Sequence, residues 1–130
     1  MNTTLQPKRN ILVIDDSKEL LQVLELILGK IGHTVFIKDS PDGVTDLVQK
    51  IKIDLMLLDV RLKAVNGRYI CQELKSNSKT NYFPIILMSS YPSSLVHLKE
   101  CAGDDFIEKP FTLDNLVSKV SAALTNCVKH

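Results

Sequence analysis

Tryptophan is absent, and Phe and Tyr together make up only 5% of the 130 residues. That scarcity argues against aromatic stacking platforms for single-stranded nucleic acid and leaves Leu, Ile and Val to build the core. A bias of charge is also missing: sixteen Lys+Arg against fifteen Asp+Glu leave +1, without the basic footprint of a nucleic-acid or anionic-lipid binder. Cys71, Cys101 and Cys127 are widely spaced and odd in number. No CxxC or Cys/His spacing suggests zinc or a disulfide framework, so reduced thiols are the plain reading. No apolar stretch follows Lys8 and Arg9, so the start does not read as a secretory signal. The longest greasy segment, Leu20 to Ile31, is interrupted by Gln22, Glu25 and Lys30 and is too short to span a bilayer. A cytoplasmic protein is expected.

What is present is an alternation of strand-length apolar runs with helix-period segments in a length that suits one domain. Ile11–Ile14 is an unbroken run ending at Asp15-Asp16. Leu20, Leu24, Ile27, Leu28 and Ile31 then form an amphipathic helix, with Asp16 or Ser17 placed to cap it and Gly32 to close it. Thr34–Ile37 reads as a second strand, and Ser40–Gly43 opens a helix carrying Val44, Leu47, Val48 and Ile51. Asp54–Leu58 is a third strand ending at Asp59, followed by a helix from Gly67 with Ile70, Cys71 and Leu74. Pro84–Met88 is a fourth strand, ending at Ser89-Ser90. A short helix near Pro92 then carries Leu95, Leu98 and Ala102. Asp105–Glu108 is the last strand, ending at Lys109-Pro110, and Leu113, Leu116, Val117, Val120 and Leu124 mark the last helix. Continuous Val/Ile/Leu strands joined by helices predict a parallel sheet covered on both faces, a doubly wound α/β sandwich. No GxGxxG follows the first strand, which argues against a dinucleotide fold.

Ligands of such sheets bind beyond the carboxyl ends of the strands. The residues delivered there are Asp15 and Asp16, Lys38 and Asp39, Asp59, Ser89 and Ser90, and Lys109. Clustered carboxylates repel unless a positive charge sits among them, and all-oxygen ligands favour a hard cation such as Mg²⁺. Lys109 suits a phosphate oxygen and Ser89 offers a small donor, so the set reads as a phosphoryl-transfer site. Asp59, alone at its strand end, is the best candidate for a carboxylate nucleophile. Each residue also has a plainer use. Asp15-Asp16 could cap a helix, Lys109 could be a solvated lysine and Phe106 simple core. His33, His97 and His130 read as surface residues.

Ile-Asp-Asp at 14–16, Leu-Leu-Asp at 57–59, Met-Ser-Ser at 88–90 and Lys-Pro-Phe at 109–111 resemble the receiver domain of bacterial response regulators. The resemblance runs from about Asn10 to Cys127, with residues 1–9 as an N-terminal extension and 128–130 as a tail. It implies a flavodoxin-like (βα)5 sheet of order 2-1-3-4-5, an order that periodicity does not supply. It also implies that Asp59 accepts a phosphoryl group from a phosphohistidine. Asp15, Asp16, Asp59 and the Arg61 backbone carbonyl would hold Mg²⁺, and Lys109 would hold a phosphoryl oxygen, with a cis bond to Pro110 as in relatives. Ser89 would move toward the new phosphate and Phe106 would turn inward.

Upstream, the resemblance implies a sensor histidine kinase or histidine phosphotransfer protein; downstream, a protein target met by the surface of the fourth helix, fifth strand and fifth helix. Phosphorylation-dependent dimerisation is an option, and no direct nucleic-acid or membrane contact is expected. If the chain is whole, its output passes through protein contacts. The chain departs from relatives in lacking Pro at Lys63, in reading Ala102-Gly103 where they often have Gly-Ala, and in having Phe106 where Tyr is frequent. Arg61 and Tyr91 are expected to flank the phosphate and limit water access.

Two other functions compete. A Mg²⁺-dependent phosphohydrolase of related fold would need an Asp-x-Asp after the first strand and a cap segment, and Asp15-Asp16-Ser17 provides neither. A receiver-like interaction module working without phosphorylation would have lost an acid, the acceptor or the lysine, and none is lost. A phosphorylatable switch is favoured. Its turnover is one self-modification followed by slow hydrolysis, so it is not an enzyme in the usual sense.

Overall fold

The computed structural model describes residues 8–63, 65–90 and 104–127. Five strands lie in one sheet: β1 (Asn10–Ile14), β2 (Thr34–Lys38), β3 (Leu55–Asp59), β4 (Ile85–Ser89) and β5 (Asp105–Glu108). Every pairing is parallel, and the order is β2-β1-β3-β4-β5. Among the described residues four helices accompany them: α1 (Lys18–Ile31), α2 (Val44–Lys50), α3 (Gly67–Lys75) and α4 (Leu113–Cys127). The helix expected near Pro92, with Tyr91, His97, Cys101 and the Ala102-Gly103 pair, lies outside the described residues.

Successive strand residues point to opposite faces, and both faces are covered, which explains the unbroken apolar runs. Leu12, Ile14, Met56, Leu58, Ile85 and Leu87 pack under α2 and α3 with Val44, Val48, Ile70, Cys71 and Leu74. Ile11, Val13, Leu55, Leu57, Ile86, Met88 and Ile107 pack under α1 and α4 with Leu21, Leu24, Leu28, Leu116, Val120 and Leu124. Fully burying one such side chain is worth about 1.5–3 kcal/mol, so the two layers supply most of the driving force.

Helix ends follow local chemistry. Ser17 caps α1 by accepting from the Leu20 N–H at 3.2 Å, and Gly32 closes it at φ 118°, a conformation that favours glycine. Asn66 caps α3 through the Arg68 N–H at 2.9 Å. The stripe that α1 buries is Leu21, Leu24 and Leu28. Leu20 and Ile27 only flank it, and Ile31 in the last turn is 41% exposed. Leu113, at the first turn of α4, is likewise more than half exposed, and the helix buries Leu116, Val120 and Leu124 instead. Among the described residues no helix is long and apolar enough to cross a membrane.

Candidate functional site

The parallel sheet carries the ends of β1, β3, β4 and β5 to one rim. Asp15 directly follows β1 and is fully buried, and Asp16 beside it is half-buried. Asp59 closes β3 and Ser89 closes β4, both buried. Lys109 follows β5, half-buried, and its peptide bond to Pro110 is cis. Backbone bonds fix these ends: Asp15 N–H donates to Lys38 O at 3.1 Å, Val60 N–H to Met88 O at 2.9 Å and Lys109 N–H to Ser89 O at 2.7 Å.

One oxygen from each of Asp15, Asp16 and Asp59 can be chosen so that all lie within 4.8 Å of one another. The Lys109 ammonium donates to Asp15 Oδ2 at 2.6 Å and to Asp59 Oδ1 at 3.3 Å. Asp15 Oδ1 accepts the Ser17 N–H at 2.9 Å, so both of its oxygens are engaged. Burial pushes the Asp59 carboxyl above its usual range, and the nearby Asp15 charge adds to this. Lys109 and the Arg61 N–H, 3.4 Å from Asp59 Oδ1, pull the other way. Burial by itself would lower the Lys109 ammonium, but its contacts with Asp15 and Asp59 win and raise it. Lys109 therefore stays charged.

Of the three carboxylates, Asp15 and Asp59 share the Lys109 ammonium, and Asp16 stands beside them outside those pairs. An all-oxygen cluster with two excess negative charges fits a small hard cation of the Mg²⁺ type, which takes few carboxylates and keeps water. Asp15, Asp16 and Asp59 are the residues available to hold it.

The other expected residues are placed as follows. Ser89 lies one position past Met88, the register partner of Asp59. Phe106 pairs with Leu87, so it shares a sheet face with Ser89, and it is half-buried against the α2–α3 layer. Arg61 is exposed and bridges to Asn66. Tyr91 lies outside the described residues. Lys38 meets the cluster only through its backbone carbonyl on the Asp15 N–H; with Asp39, Lys18, Leu21, Gln22 and Ile37 it lines a separate open groove of about 380 Å³ between α1 and the β2 edge. His33 is half-buried, not a bare surface residue, and accepts the Arg9 N–H on Nδ1 at 3.3 Å. His130 lies outside the described residues.

Gly67 is a residue that sequence reasoning missed. A Cβ there would collide with the Asp59 carbonyl oxygen, and the Gly67 N–H donates to Val60 O at 2.7 Å. The start of α3 thus rests directly on the backbone of the candidate acceptor. The signal was present as Asn66-Gly67, a cap followed by the smallest residue, but spacing alone does not tell a close approach from a turn.

A five-stranded 2-1-3-4-5 sheet with an acidic cluster and a lysine at its carboxyl edge defines a receiver-type signalling domain. The family model of the response regulator receiver domain matches residues 11–121, and the chain belongs to that family. It is 31% identical over 116 residues, 88% of its length, to the transcriptional regulatory protein YxdJ of Bacillus subtilis, and spans 49% of that relative. The chain therefore covers about half of the curated relative it matches. Among solved structures it resembles the receiver domain of a signal transduction histidine kinase from Syntrophus aciditrophicus, with 28% identity, a TM-score of 0.82 and 91% coverage of each chain. It shares the fold of chemotaxis protein CheY4 from Vibrio cholerae, at 20% identity and a TM-score of 0.82, covering 91% of this chain and all of that one. Receiver domains act in two-component signalling and are not conventional enzymes.

Proposed function

We propose that residues 10–127 form a phosphorylation-dependent switch, cytoplasmic and fed by a histidine kinase or histidine phosphotransfer protein, with Asp59 as phosphoacceptor. The observation that carries this reading is the placement of Lys109 Nζ 2.6 Å from Asp15 and 3.3 Å from Asp59 within a cluster of three carboxylates. An Asp59 oxygen attacks the phosphorus of the donor's phosphohistidine. The P–N bond breaks as the O–P bond forms, and the released imidazole takes a proton. Asp15, Asp16 and Asp59, with the Arg61 carbonyl, would hold Mg²⁺, which would supply positive charge against the transferring group. Lys109 is already poised beside Asp59, and moving its ammonium onto a phosphoryl oxygen exchanges one anionic partner for another.

Ser89, buried at the adjacent strand end, donates to a second phosphoryl oxygen. Its displacement opens the space on its own face of the sheet into which Phe106 turns. This would change the surface around β5, α4 and residues 91–103, where a downstream protein reads the state. Arg61, exposed two residues beyond Asp59, limits water access and slows hydrolysis of the phosphoryl group.

Incubation with acetyl phosphate or phosphoramidate and Mg²⁺, followed by intact-mass measurement, tests the reading. One added phosphoryl group is expected, absent in Asp59→Asn and retained in Ser89→Ala. No modification by any donor would favour an interaction module that works without phosphorylation.

A further inference from the structure

Phe106 is not held by apolar neighbours alone. Lys119 of α4 places its ammonium 5.4 Å from the centroid of the Phe106 ring. The same ammonium donates to Asp105 Oδ1 at 3.1 Å and Oδ2 at 3.3 Å. Asp105 Oδ1 also accepts the Phe106 N–H at 2.8 Å. One lysine therefore ties the last helix to both the ring and, through a carboxylate, the backbone of the same β5 residue. The pair is partly solvated, with side-chain exposures of 29% for Lys119 and 39% for Asp105. An isolated exposed ion pair of this kind stabilises little. Its effect here is directional: Asp105 holds the ammonium where the electron-rich ring face attracts it.

We propose that Lys119, oriented by Asp105, is a positioning residue that latches Phe106 in its resting place and thereby sets how readily the Asp59 pocket enters its phosphorylated arrangement. The proposal rests on the reading of Asp59 as phosphoacceptor and of Phe106 as the residue that moves with it. A ring leaving its place gives up the ammonium, so the latch favours the unmodified state. Coupling of this kind is reciprocal. An acidic partner group that draws Lys119 away favours phosphorylation, and phosphorylation releases Lys119 for such a group.

The test titrates beryllofluoride, a phosphoryl stand-in, with Mg²⁺ into wild type, Lys119→Met, Lys119→Arg and Lys119→Met combined with Asp105→Asn. Occupancy is read by fluorine NMR, and the Phe106 ring resonances are read before any ligand is added. Lys119→Met is expected to bind beryllofluoride about two- to five-fold more tightly, the factor to which one exposed cation–π contact converts. Its Phe106 resonances are expected to shift in the unliganded protein. Lys119→Arg should stay near wild type, and the combined variant should bind no more tightly than Lys119→Met alone. Wild-type affinity in Lys119→Met, or an equal gain in Lys119→Arg, overturns the proposal whether or not the ring resonances move. Failure of the phosphoacceptor reading looks different: wild type itself then binds no beryllofluoride and gains no phosphoryl mass, and the latch falls with it.

Discussion

Lys109 Nζ and Asp15 Oδ2 stand 2.6 Å apart although 94 residues separate them in the chain. The same ammonium reaches Asp59 at the longer distance of 3.3 Å, so the lysine sits closer to buried Asp15 than to Asp59. Burial and the Asp15 charge raise the Asp59 carboxyl, and Lys109 offsets only part of that rise.

This has a consequence for stability without metal. A carboxyl whose folded pKa lies above its unfolded value is ionised at neutral pH at a cost to the folded state. That cost disappears as pH falls through the folded value toward the ordinary one, because the folded state then takes up the proton first. Asp59→Asn removes the cost. The variant is expected to unfold at a higher temperature than wild type at pH 7 in the presence of a chelator. Thermal melts from pH 7 down to about 3 should show the gap closing once Asp59 is protonated in both states. A wild type more stable than Asp59→Asn at pH 7 would contradict this account.

Magnesium should remove much of the same repulsion. A ligand that binds only the folded state stabilises it by about 2.7 kcal/mol at a concentration one hundred times its dissociation constant. The melting temperature of wild type is therefore expected to climb with Mg²⁺ concentration. Asp16→Asn takes away a half-buried carboxylate outside the Lys109 ion pairs. It should flatten that dependence while leaving the metal-free unfolding free energy within about 0.5 kcal/mol of wild type, the usual range for surface changes. Calorimetric scans with and without Mg²⁺ read both numbers.

Much of the site could be read from the amino acids because one rule does most of the positioning: parallel strands with helical crossovers send all their carboxyl ends to one rim. Asp15, Asp16, Asp59, Ser89 and Lys109 follow from where four of the apolar runs stop. What could not be read depends on docking between elements. The pairing of Lys119 with Phe106 needs the angle of α4 against β5, which no spacing reveals. Thr80 sits among polar residues just past α3, yet it is buried, and its Oγ1 donates to Leu74 O at 2.6 Å and finishes the helix. Ile31 satisfies helical spacing but is the last residue of α1 and stands exposed, while Leu21, Leu24 and Leu28 are buried.

Two glycines in helices separate propensity from space. Gly29 lies within α1 with open space where a Cβ would go, and Gly67 begins α3 against the Asp59 carbonyl. Alanine is the better helix former at an interior position by about 0.5–1 kcal/mol, so Gly29→Ala should raise stability by about that amount. At Gly67 the obstacle is backbone and cannot swing aside, and overpacking of this kind costs about 1–3 kcal/mol. Gly67→Ala should lower stability by that amount and slow labelling of Asp59 by acetyl phosphate. Urea melts of both variants give the two signs. Destabilisation by both would mean that helix position, not the acceptor's backbone, decides the outcome.

At the opposite end of the sheet, His33 accepts the Arg9 N–H on Nδ1 at 3.3 Å, a bond open only to the neutral ring. Burial lowers its pKa, Arg9 adds to the effect, and Asp54 opposes it. The unfolded chain therefore binds the proton first as pH drops below about 6.5. Folding stability contributed by the neutral ring is complete above that pH and is lost as pH falls toward the lower folded value. His33→Asn keeps an acceptor near the same place but cannot titrate. The stability of wild type relative to this variant is expected to fall between about pH 7.5 and 5. Groups common to both proteins, including His97 and His130, cancel in that difference. Denaturant melts across the range would show either a sloping difference, which assigns the proton to His33, or a flat one, which removes His33 from the acid response of the fold.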